Sequence, residues 1–277
     1  MAWHALAEAT RAETPRVPFT VGGRRVGSVA VAHLDALRPF ADALVVRDDG
    51  VELVAAERDA AFAHINGALR EQRLIVAWRD ETFPLLDPET LAPLAFFERA
   101  AARFWGTLTL GAHATGYVAG PDGRPEHLWI AQRSFSKATD PGAYDNLVGG
   151  GVPAGQSPAE ALVREAWEEA GLTPPQLAGA RLGSVLRLAR DIPEGFQHEW
   201  VYSHDLELPP GLTPANQDGE VHGFQCLPVA EALAVAAGAS MTVDAALVTV
   251  DFALRHGLVD DEAAARCVRK LRVVRKS

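Results

Sequence analysis

Three glutamates lie close together just past the midpoint of the chain and are the residues best suited to chemistry. Glu165 and Glu169 are four positions apart, and Glu168 lies three positions after Glu165. On a helix, this spacing places all three carboxylates on one side. Like charges at this spacing destabilise a helix, whereas Mg²⁺ binds carboxylates together with substrate phosphates. We therefore predict a metal site on this helix, where Arg164 pairs with Glu168 at i+4 and helps to orient it.

Local signals predict where the helix begins and ends. Ser157 is a favourable N-cap, Pro158 suits the first helical position, and Glu160 completes a capping-box pattern. Gly171 supplies the left-handed residue that commonly ends a helix. These signals predict a helix over Pro158–Ala170. The residues predicted to face the core are Leu162, Ala166 and one of Val163 and Trp167.

A glycine-rich segment, Asp145–Gly155, precedes the helix and contains Gly149, Gly150 and Gly151. Without side chains, this backbone can lie close to a ligand. Taken alone, the glycines are typical of a flexible turn between a strand and a helix. Their fixed distance from the glutamates instead favours a phosphate-handling loop, so Gly150 and Gly151 are predicted substrate-binding residues.

Together, the loop and the helix resemble the Nudix box. Its pattern is glycine, five residues, glutamate, seven residues, Arg-Glu, an apolar residue, one residue, Glu-Glu, one residue, glycine and an apolar residue. Gln156 stands where the first glutamate belongs, and in the family that glutamate is mainly a structural or outer residue. The resemblance therefore implies an intact metal-binding core with one altered supporting position. The matching residues are Gly150, Arg164, Glu165, Glu168, Glu169, Gly171 and Leu172.

The resemblance also implies roles for individual residues. Glu165, Glu168 and Glu169 would bind Mg²⁺, with Mn²⁺ as an alternative cofactor. Glu220 precedes a late strand, where Nudix proteins often present another acidic residue to the site. Either Glu169 or Glu220 would take the proton from the attacking water. The residues predicted to be catalytic are thus Glu169, Glu168, Arg164 and Glu220.

Further substrate contacts are predicted on the approach to the glycine loop. Arg133 and Lys137 can receive phosphate oxygens, the arginine through a bidentate fork and the lysine as a point charge. The alternative is that both are exposed charges at a strand end. Asn146 is also a predicted substrate residue, although Asp-Asn is equally typical of a turn.

Segments outside the box are similar to one branch of the family, the thiamine-pyrophosphokinase-related Nudix proteins. The N-terminal region looks like the extra domain of that group. The similar segments are Gly111–Tyr117, Arg133-Ser134 with Lys137, Pro141-Gly142, Asp145-Asn146, Asp251-Phe252 and Arg255-His256-Gly257. This likeness implies hydrolysis of a diphosphate linkage in a small molecule. The candidate substrates are thiamine diphosphate, its oxidised oxo and oxy analogues, or a nucleoside diphosphate derivative.

Two other functions remain open. Arg133-Ser134 and Lys137 also resemble isopentenyl-diphosphate isomerases, but those enzymes pair a cysteine with a glutamate, and Cys226 and Cys267 lie in late segments. The second alternative is a non-catalytic Nudix module that binds a diphosphate or a protein partner. Degenerate boxes mark such modules, whereas this box is nearly intact.

The elements expected around the site form an α/β (α+β) fold. The expected domains are a small α+β N-terminal domain at 1–105 and a Nudix-type α/β/α sandwich with a mixed sheet at 106–277. The elements predicted in the first are a hairpin (Phe19–Val31), a helix (Ala55–Arg70), a short strand (Ile75–Trp78) and a helix (Pro93–Phe104). Those predicted in the second are strands Thr107–Val118, His127–Arg133, Leu182–Leu188, Glu199–Leu206 and Val221–Cys226, and helices Val229–Ala237, Val243–Arg255 and Asp261–Lys270.

Composition excludes several classes of protein. The chain has 277 residues and a formal net charge of −10, so its overall field repels nucleic acid. No segment has the ~18 apolar residues of a membrane span, and Met1–Arg16 has no apolar run of signal-peptide length. Two distant cysteines favour neither a disulfide framework nor a zinc site. We expect a cytoplasmic protein with a small-molecule partner, and a homodimer is one alternative for its oligomeric state.

Overall fold

The computed structural model describes residues 2–274. Its first part contains a four-stranded sheet and a separate two-stranded hairpin. The sheet has the order β2-β1-β4-β3, in which β1 and β4 run parallel, and β5 pairs with β6. The elements are α1 (His4–Glu8), β1 (Arg16–Val21), β2 (Arg24–Ala30), α2 (Leu34–Leu37) between two 3₁₀ turns, β3 (Leu44–Arg47), β4 (Gly50–Leu53), α3 (Arg58–Glu71), β5 (Thr82–Leu86), β6 (Pro93–Glu98) and α4 (Ala101–Trp105).

Aromatic packing holds this part together. Phe19, Phe62 and Trp105 are fully buried, and the ring centroids of Phe19 and Trp105 are 4.5 Å apart. The indole Nε1 of Trp105 donates a 2.9 Å hydrogen bond to Oδ1 of Asn66, which satisfies its polar group in the core. These contacts connect α3 and α4 to the sheet and so fix the position of α4.

The early hairpin and the helix after it are confirmed as β1–β2 and α3, but two other predictions in this part are wrong. Pro93–Phe104 is not one helix, because its first half pairs with β5 as strand β6, with Ala95 and Phe97 buried and Phe96 between them exposed. This alternation is the period of a strand. Ile75–Trp78 is irregular, since Ala77 has a left-handed φ of 57°.

The second part is built on a seven-stranded mixed sheet. Its main path is β11-β12-β7-β8-β13, while β10 pairs with β7 and β9 with β8. Strands β12 and β7 are parallel, and their other neighbours are antiparallel. The elements are β7 (Leu108–Ala119), β8 (Pro125–Arg133), β9 (Tyr144–Asp145), β10 (Val148–Gly151), α5 (Pro158–Ala170), α6 (Pro174–Leu177), β11 (Arg181–Ile192), β12 (Gly195–Glu207), β13 (Val221–Pro228), α7 (Val229–Ala237), α8 (Val243–Arg255) and α9 (Glu262–Leu271).

Helices cover both faces of this sheet, which confirms the predicted α/β/α arrangement. Helix α5 packs on β10 and β7, and α7, α8 and α9 pack on the opposite face. Helix α1 lies early in the chain but packs against α7, α8 and α9, with Trp3 and Ala5 buried in their core. Within residues 2–274, none of the helices combines the length and apolar character that crossing a membrane requires.

Candidate active site

Helix α5 begins and ends where its sequence predicts. The Oγ of Ser157 accepts a hydrogen bond from the backbone N–H of Glu160, and the Glu160 carboxylate accepts one from the backbone N–H of Ser157. Gly171 ends the helix with a φ of 64°. Leu162 and Ala166 face the core, but Val163 and Trp167 are 40% and 50% exposed, so the prediction that one of them is buried is wrong.

The three glutamates of α5 have different surroundings. Glu165 and Glu169 are 8% and 5% exposed and line a cavity with a volume of about 500 Å³. Glu168 is half-buried, does not line this cavity, and binds Nη1 of Arg164 at 2.6 Å. Sequence spacing places the three on one side of the helix, but only two of them face the cavity.

Gly149, Gly150 and Gly151, predicted to lie in a loop, are part of strand β10 and lie against these carboxylates. The backbone N–H of Gly149 donates a 2.9 Å hydrogen bond to Oε2 of Glu169. A Cβ atom at position 150 would lie 2.1 Å from Cδ of Glu165, so a side chain there would displace the carboxylate. Gly150 is therefore required for close approach to the helix.

Burial makes ionisation of the two cavity glutamates unfavourable. Burial raises the pKa of Glu165, although the charge and hydrogen bond of Arg164 partly oppose this effect. Burial also raises the pKa of Glu169 well above its ordinary value, and the neighbouring charges of Glu165 and Asp145 raise it further. A cation between these carboxylates would favour their ionised forms.

Comparison with known proteins identifies the family. A model described as NUDIX domain matches residues 109–245, and one described as Domain of unknown function (DUF4743) matches residues 3–109. The chain is 37% identical over 258 residues to Nudix hydrolase 24, chloroplastic, of Arabidopsis thaliana, a match covering 89% of this chain and 69% of the relative. The chain belongs to the Nudix hydrolase family. This membership confirms the predicted superfamily and enzyme class.

Two further similarities accompany this match. Nudix hydrolase 20, chloroplastic, of the same plant is 35% identical over 266 residues, covering 90% of this chain and 70% of the relative. The crystal structure of DR0079 from Deinococcus radiodurans is 25% identical with a TM-score of 0.47, covering 61% of this chain and 97% of that chain.

Arg164 connects the parts of the Nudix box. Its guanidinium donates to Oε1 of Glu165 at 2.8 Å and to Oε2 of Glu168 at 2.6 Å. The side-chain oxygen of Gln156 accepts a 3.3 Å hydrogen bond from Nε of the same arginine, and the carbonyl of Gly151 accepts one at 3.4 Å. Gln156 stands where the family has glutamate, and its amide oxygen supports Arg164 without adding a charge.

The predicted substrate residues occupy different positions. Arg133 lines the cavity, but its guanidinium binds Asp145 at 3.0 Å and the backbone carbonyls of Thr139 and Asp140. Asn146 does not line the cavity, and its contact with the substrate stays a prediction. Its side chain is buried and donates to the carbonyl of Ala245 and to Oγ1 of Thr249. Gly150 and Gly151 both line the cavity.

Glu220 and Lys137 form an ion pair at the cavity. Burial alone would raise the pKa of Glu220, but the hydrogen bond and charge of Lys137, together with Arg79 and Arg99, lower it below its ordinary value. Glu220 lines the same cavity as Glu165 and Glu169, and Lys137 is already paired with a protein carboxylate.

Three further ionisable residues, His113, Glu199 and Asp244, line the same cavity. The ring Nδ1 of buried His113 lies 3.0 Å from Oδ1 of Asn146 and 4.0 Å from Oδ1 of Asp145. Burial lowers the pKa of His113, but Asp244 and Asp145 outweigh this and raise it. Burial and Asp244 raise the pKa of Glu199, which also lines the cavity. A charge in the first turn of α8 was the only sequence signal for Asp244.

Cavity residues from the first part of the chain were also missed. Arg79, Phe83, Arg99 and Arg103 lie outside the Nudix box, yet they line the same cavity as Glu165. No spacing pattern connects them to the box, because tertiary packing of the N-terminal region brings them there. Phe196, from the second part of the chain, lines the cavity as well.

Proposed function

We propose that this Nudix hydrolase cleaves the diphosphate linkage of a small organic molecule in a Mg²⁺-dependent reaction. The observation that carries the proposal is the burial of Glu165 and Glu169 on successive turns of α5, facing one cavity beside a glycine loop. The first candidate substrates are thiamine diphosphate and its oxidised oxo and oxy analogues, from the likeness to the thiamine-pyrophosphokinase-related branch. A nucleoside diphosphate derivative is the other candidate.

The carboxylates fit a hard divalent cation. Mg²⁺ prefers oxygen ligands, and the raised pKa values of Glu165 and Glu169 mean that a cation would relieve their mutual repulsion. Within residues 2–274, no three His, Cys, Asp or Glu side chains already converge as a metal site. In this proposal, Glu165, Glu168 and Glu169 would hold the cation, with Glu168 oriented by its contact with Arg164. Mg²⁺, or Mn²⁺ in its place, would neutralise phosphate oxygens and acidify water there.

The chain's own residues then have separate tasks. Arg164 orients Glu165 and Glu168, and the N–H of Gly149 holds the Glu169 carboxylate. We assign the acceptance of the water proton to Glu169 or Glu220, both of which line the cavity. Arg133 and Lys137 contribute positive charge near the phosphates, and the backbone of Gly150 and Gly151 allows the phosphates to approach.

The two alternatives have less support. Cys226 and Cys267 are both exposed, and neither lines the cavity, so an isomerase of the isopentenyl-diphosphate type would lack its cysteine. A non-catalytic module needs no ionisable carboxylate for chemistry, so it would keep its function with glutamine in place of Glu165 and Glu169. The buried Glu165 and Glu169 are costly for mere ligand binding and favour catalysis.

The test is hydrolysis of a panel of compounds, with the organic monophosphates, pyrophosphate and inorganic phosphate separated and quantified by chromatography, because ADP-ribose cleaved between its phosphates releases no inorganic phosphate. The panel contains thiamine diphosphate, its oxo and oxy analogues, ADP-ribose and nucleoside triphosphates, each with Mg²⁺, with Mn²⁺ and with EDTA. We expect metal-dependent turnover of at least one diphosphate and its loss in Glu165→Gln. Absence of turnover across the panel would contradict the hydrolase proposal, and equal turnover in EDTA would contradict its metal dependence.

We also propose a cytoplasmic location, although both plant relatives have "chloroplastic" in their names. The two exposed free thiols, Cys226 and Cys267, fit a reducing compartment. Fractionation of the source cells tests this proposal, and recovery of the protein in an oxidising compartment would contradict it. The division into domains at residue 105 is likewise a proposal, and limited proteolysis near that position tests it.

A further inference from the structure

The cavity has two walls of opposite charge that come from different parts of the chain. Glu165 and Glu169 lie on the Nudix side, and Arg79, Arg99 and Arg103 lie on the side formed by residues 3–109. The positive charges of Arg79 and Arg99 both lower the pKa of Glu220, which lines the same cavity from the Nudix side. These three arginines belong to the region that matches a domain of unknown function. Their place in the cavity indicates that this region contributes to the site.

Arg79 lacks an anionic partner. Its Nη2 lies 3.5 Å from Oγ1 of Thr139, and no ion pair involves its guanidinium within residues 2–274. The side chain is half-buried, and burial and the charge of Arg99 lower its pKa. The flanking Ala77 and Asp80 both have left-handed φ angles, 57° and 58°. A non-glycine backbone adopts this conformation at a cost, so the packing around the loop enforces the position of Arg79.

Arg99 connects this wall to the glycine loop. Its guanidinium binds Glu81 at 2.9 Å and lies over the ring of Phe83 with its Cζ 5.2 Å from the centroid. A Cβ atom at position 151 would lie 3.3 Å from Cζ of Arg99, so the guanidinium is in contact distance of the loop. Any phosphate that approaches Gly151 therefore also approaches Arg99.

We infer that Arg79 and Arg99 form an anion subsite that binds the phosphate of the diphosphate substrate farther from α5. This inference rests on the proposed function for the ligand class. Arg99 pairs with Glu81 and Glu220 pairs with Lys137, while Arg79 forms no ion pair within residues 2–274, so this wall keeps a positive charge that an anion would compensate. Their planar donor forks match phosphate oxygens. The N-terminal domain is then part of the substrate site, and its arginines select for diphosphates over uncharged ligands.

The test is calorimetric binding of methylenediphosphonate, a diphosphate analogue that cannot be hydrolysed, in the presence of Mg²⁺. We expect Arg79→Gln to raise its Kd by about 10- to 100-fold, the range for loss of a charge-assisted hydrogen bond. Arg79→Lys keeps the charge without the fork and should give an intermediate Kd. Arg47→Gln is the matched control, because Arg47 is exposed on β3 and forms only a 4.0 Å ion pair with Glu52.

Arg99→Gln is the second variant in case Arg79→Gln does not fold, and circular dichroism checks both. With a hydrolysed substrate, KM should rise by a similar factor in either variant, while kcat changes by less than about threefold. A Kd and KM equal to those of Arg47→Gln would overturn the subsite, even if the enzyme hydrolyses diphosphates. Weakened binding in the arginine variants of a protein that hydrolyses nothing would support the subsite and contradict the proposed function.

Discussion

At the scale of single residues, water reaches the three glutamates of α5 to different extents. Glu165 and Glu169 are almost completely buried, whereas Glu168 is half-buried and paired with Arg164. Burial of a carboxylate without a full counter-charge raises its pKa and makes its ionised form costly. The two buried glutamates therefore link metal binding, protonation and stability.

Glu169→Gln tests this link in metal-free protein. The folded-state pKa of Glu169 is raised above the ordinary 4.5, so its favourable contribution is complete below pH 4.5 and is lost as pH rises through the raised pKa. In EDTA, the free energy of unfolding should therefore fall less in the variant than in the wild type as the pH rises above 4.5. Added Mg²⁺ should raise the free energy of unfolding less in the variant than in the wild type. Its kcat should fall by about 10²- to 10⁴-fold.

Urea unfolding at several pH values and steady-state turnover measure these effects. Glu231→Gln is the control, because Glu231 is an exposed acid on α7. Parallel stability curves for the wild type and Glu169→Gln would show that Glu169 is not a costly charge in the folded protein. Unchanged turnover would remove it from the catalytic residues.

At the scale of elements, residues at the two ends of α5 determine where the helix begins and ends. The capping box at Ser157 and the left-handed Gly171 fix the two ends of the helix, and the glycine loop fixes its distance from β10 and β7. A shift of the helix would move Glu165 and Glu169 together. The start of α5 therefore affects the site, although Ser157 itself does not line the cavity.

Ser157→Ala removes the side chain that caps α5. We expect the free energy of unfolding to fall by about 1 kcal/mol, the usual effect of losing an N-cap. Thermal and urea unfolding measure the change. Ser157→Thr retains the hydroxyl and should stay close to the wild type. If Ser157→Ala is as stable as Ser157→Thr, the capping box contributes nothing to the stability of this helix.

The sequence predicts α5, the β7–β8 hairpin and the late helices because their signals are local. Caps, turn residues and a regular apolar period act within a few positions of the sequence. The Nudix box lies on the same helix and therefore gives the positions of Glu165 and Glu169 as well. Pro93–Phe104 shows the limit of this approach. Leu94, Phe97 and Ala101 fit a helical period, but pairing with β5 decides the structure of the first half as a strand. Propensity is overridden there by a partner that the segment itself does not encode.

At the scale of the whole molecule, the cavity joins the two parts of the chain. Helix α4 carries Arg103, packs against β12, and contacts the start of that strand at Gly195. Gly195 has a φ of 136°, and a Cβ atom there would lie 2.4 Å from the carbonyl oxygen of Arg103. The cationic wall was not predictable from sequence, because this packing depends on residues about 90 positions apart.

Gly195→Ala should push α4, which carries Arg103, away from the start of β12 and so displace the arginine side of the cavity. The added methyl group meets the Arg103 backbone and the φ angle disfavours alanine, so we expect a loss of about 2 kcal/mol in the free energy of unfolding together with a higher KM. Gly179→Ala is the control, since nothing lies within 4 Å of a Cβ atom there and its φ is not left-handed. An unchanged KM in a folded Gly195→Ala protein would mean that this junction does not position the substrate wall.

The packing of α1 has a consequence for biosynthesis. Trp3 and Ala5 are buried among α7, α8 and α9, and Nε1 of Trp3 donates to Asp261. Helices α7, α8 and α9 follow α1 along the chain, so these partners of Trp3 leave the ribosome after the strands of the four-stranded and seven-stranded sheets. Domains generally fold as units while the chain emerges. Helix α1 can therefore dock only after α7, α8 and α9 have been synthesised.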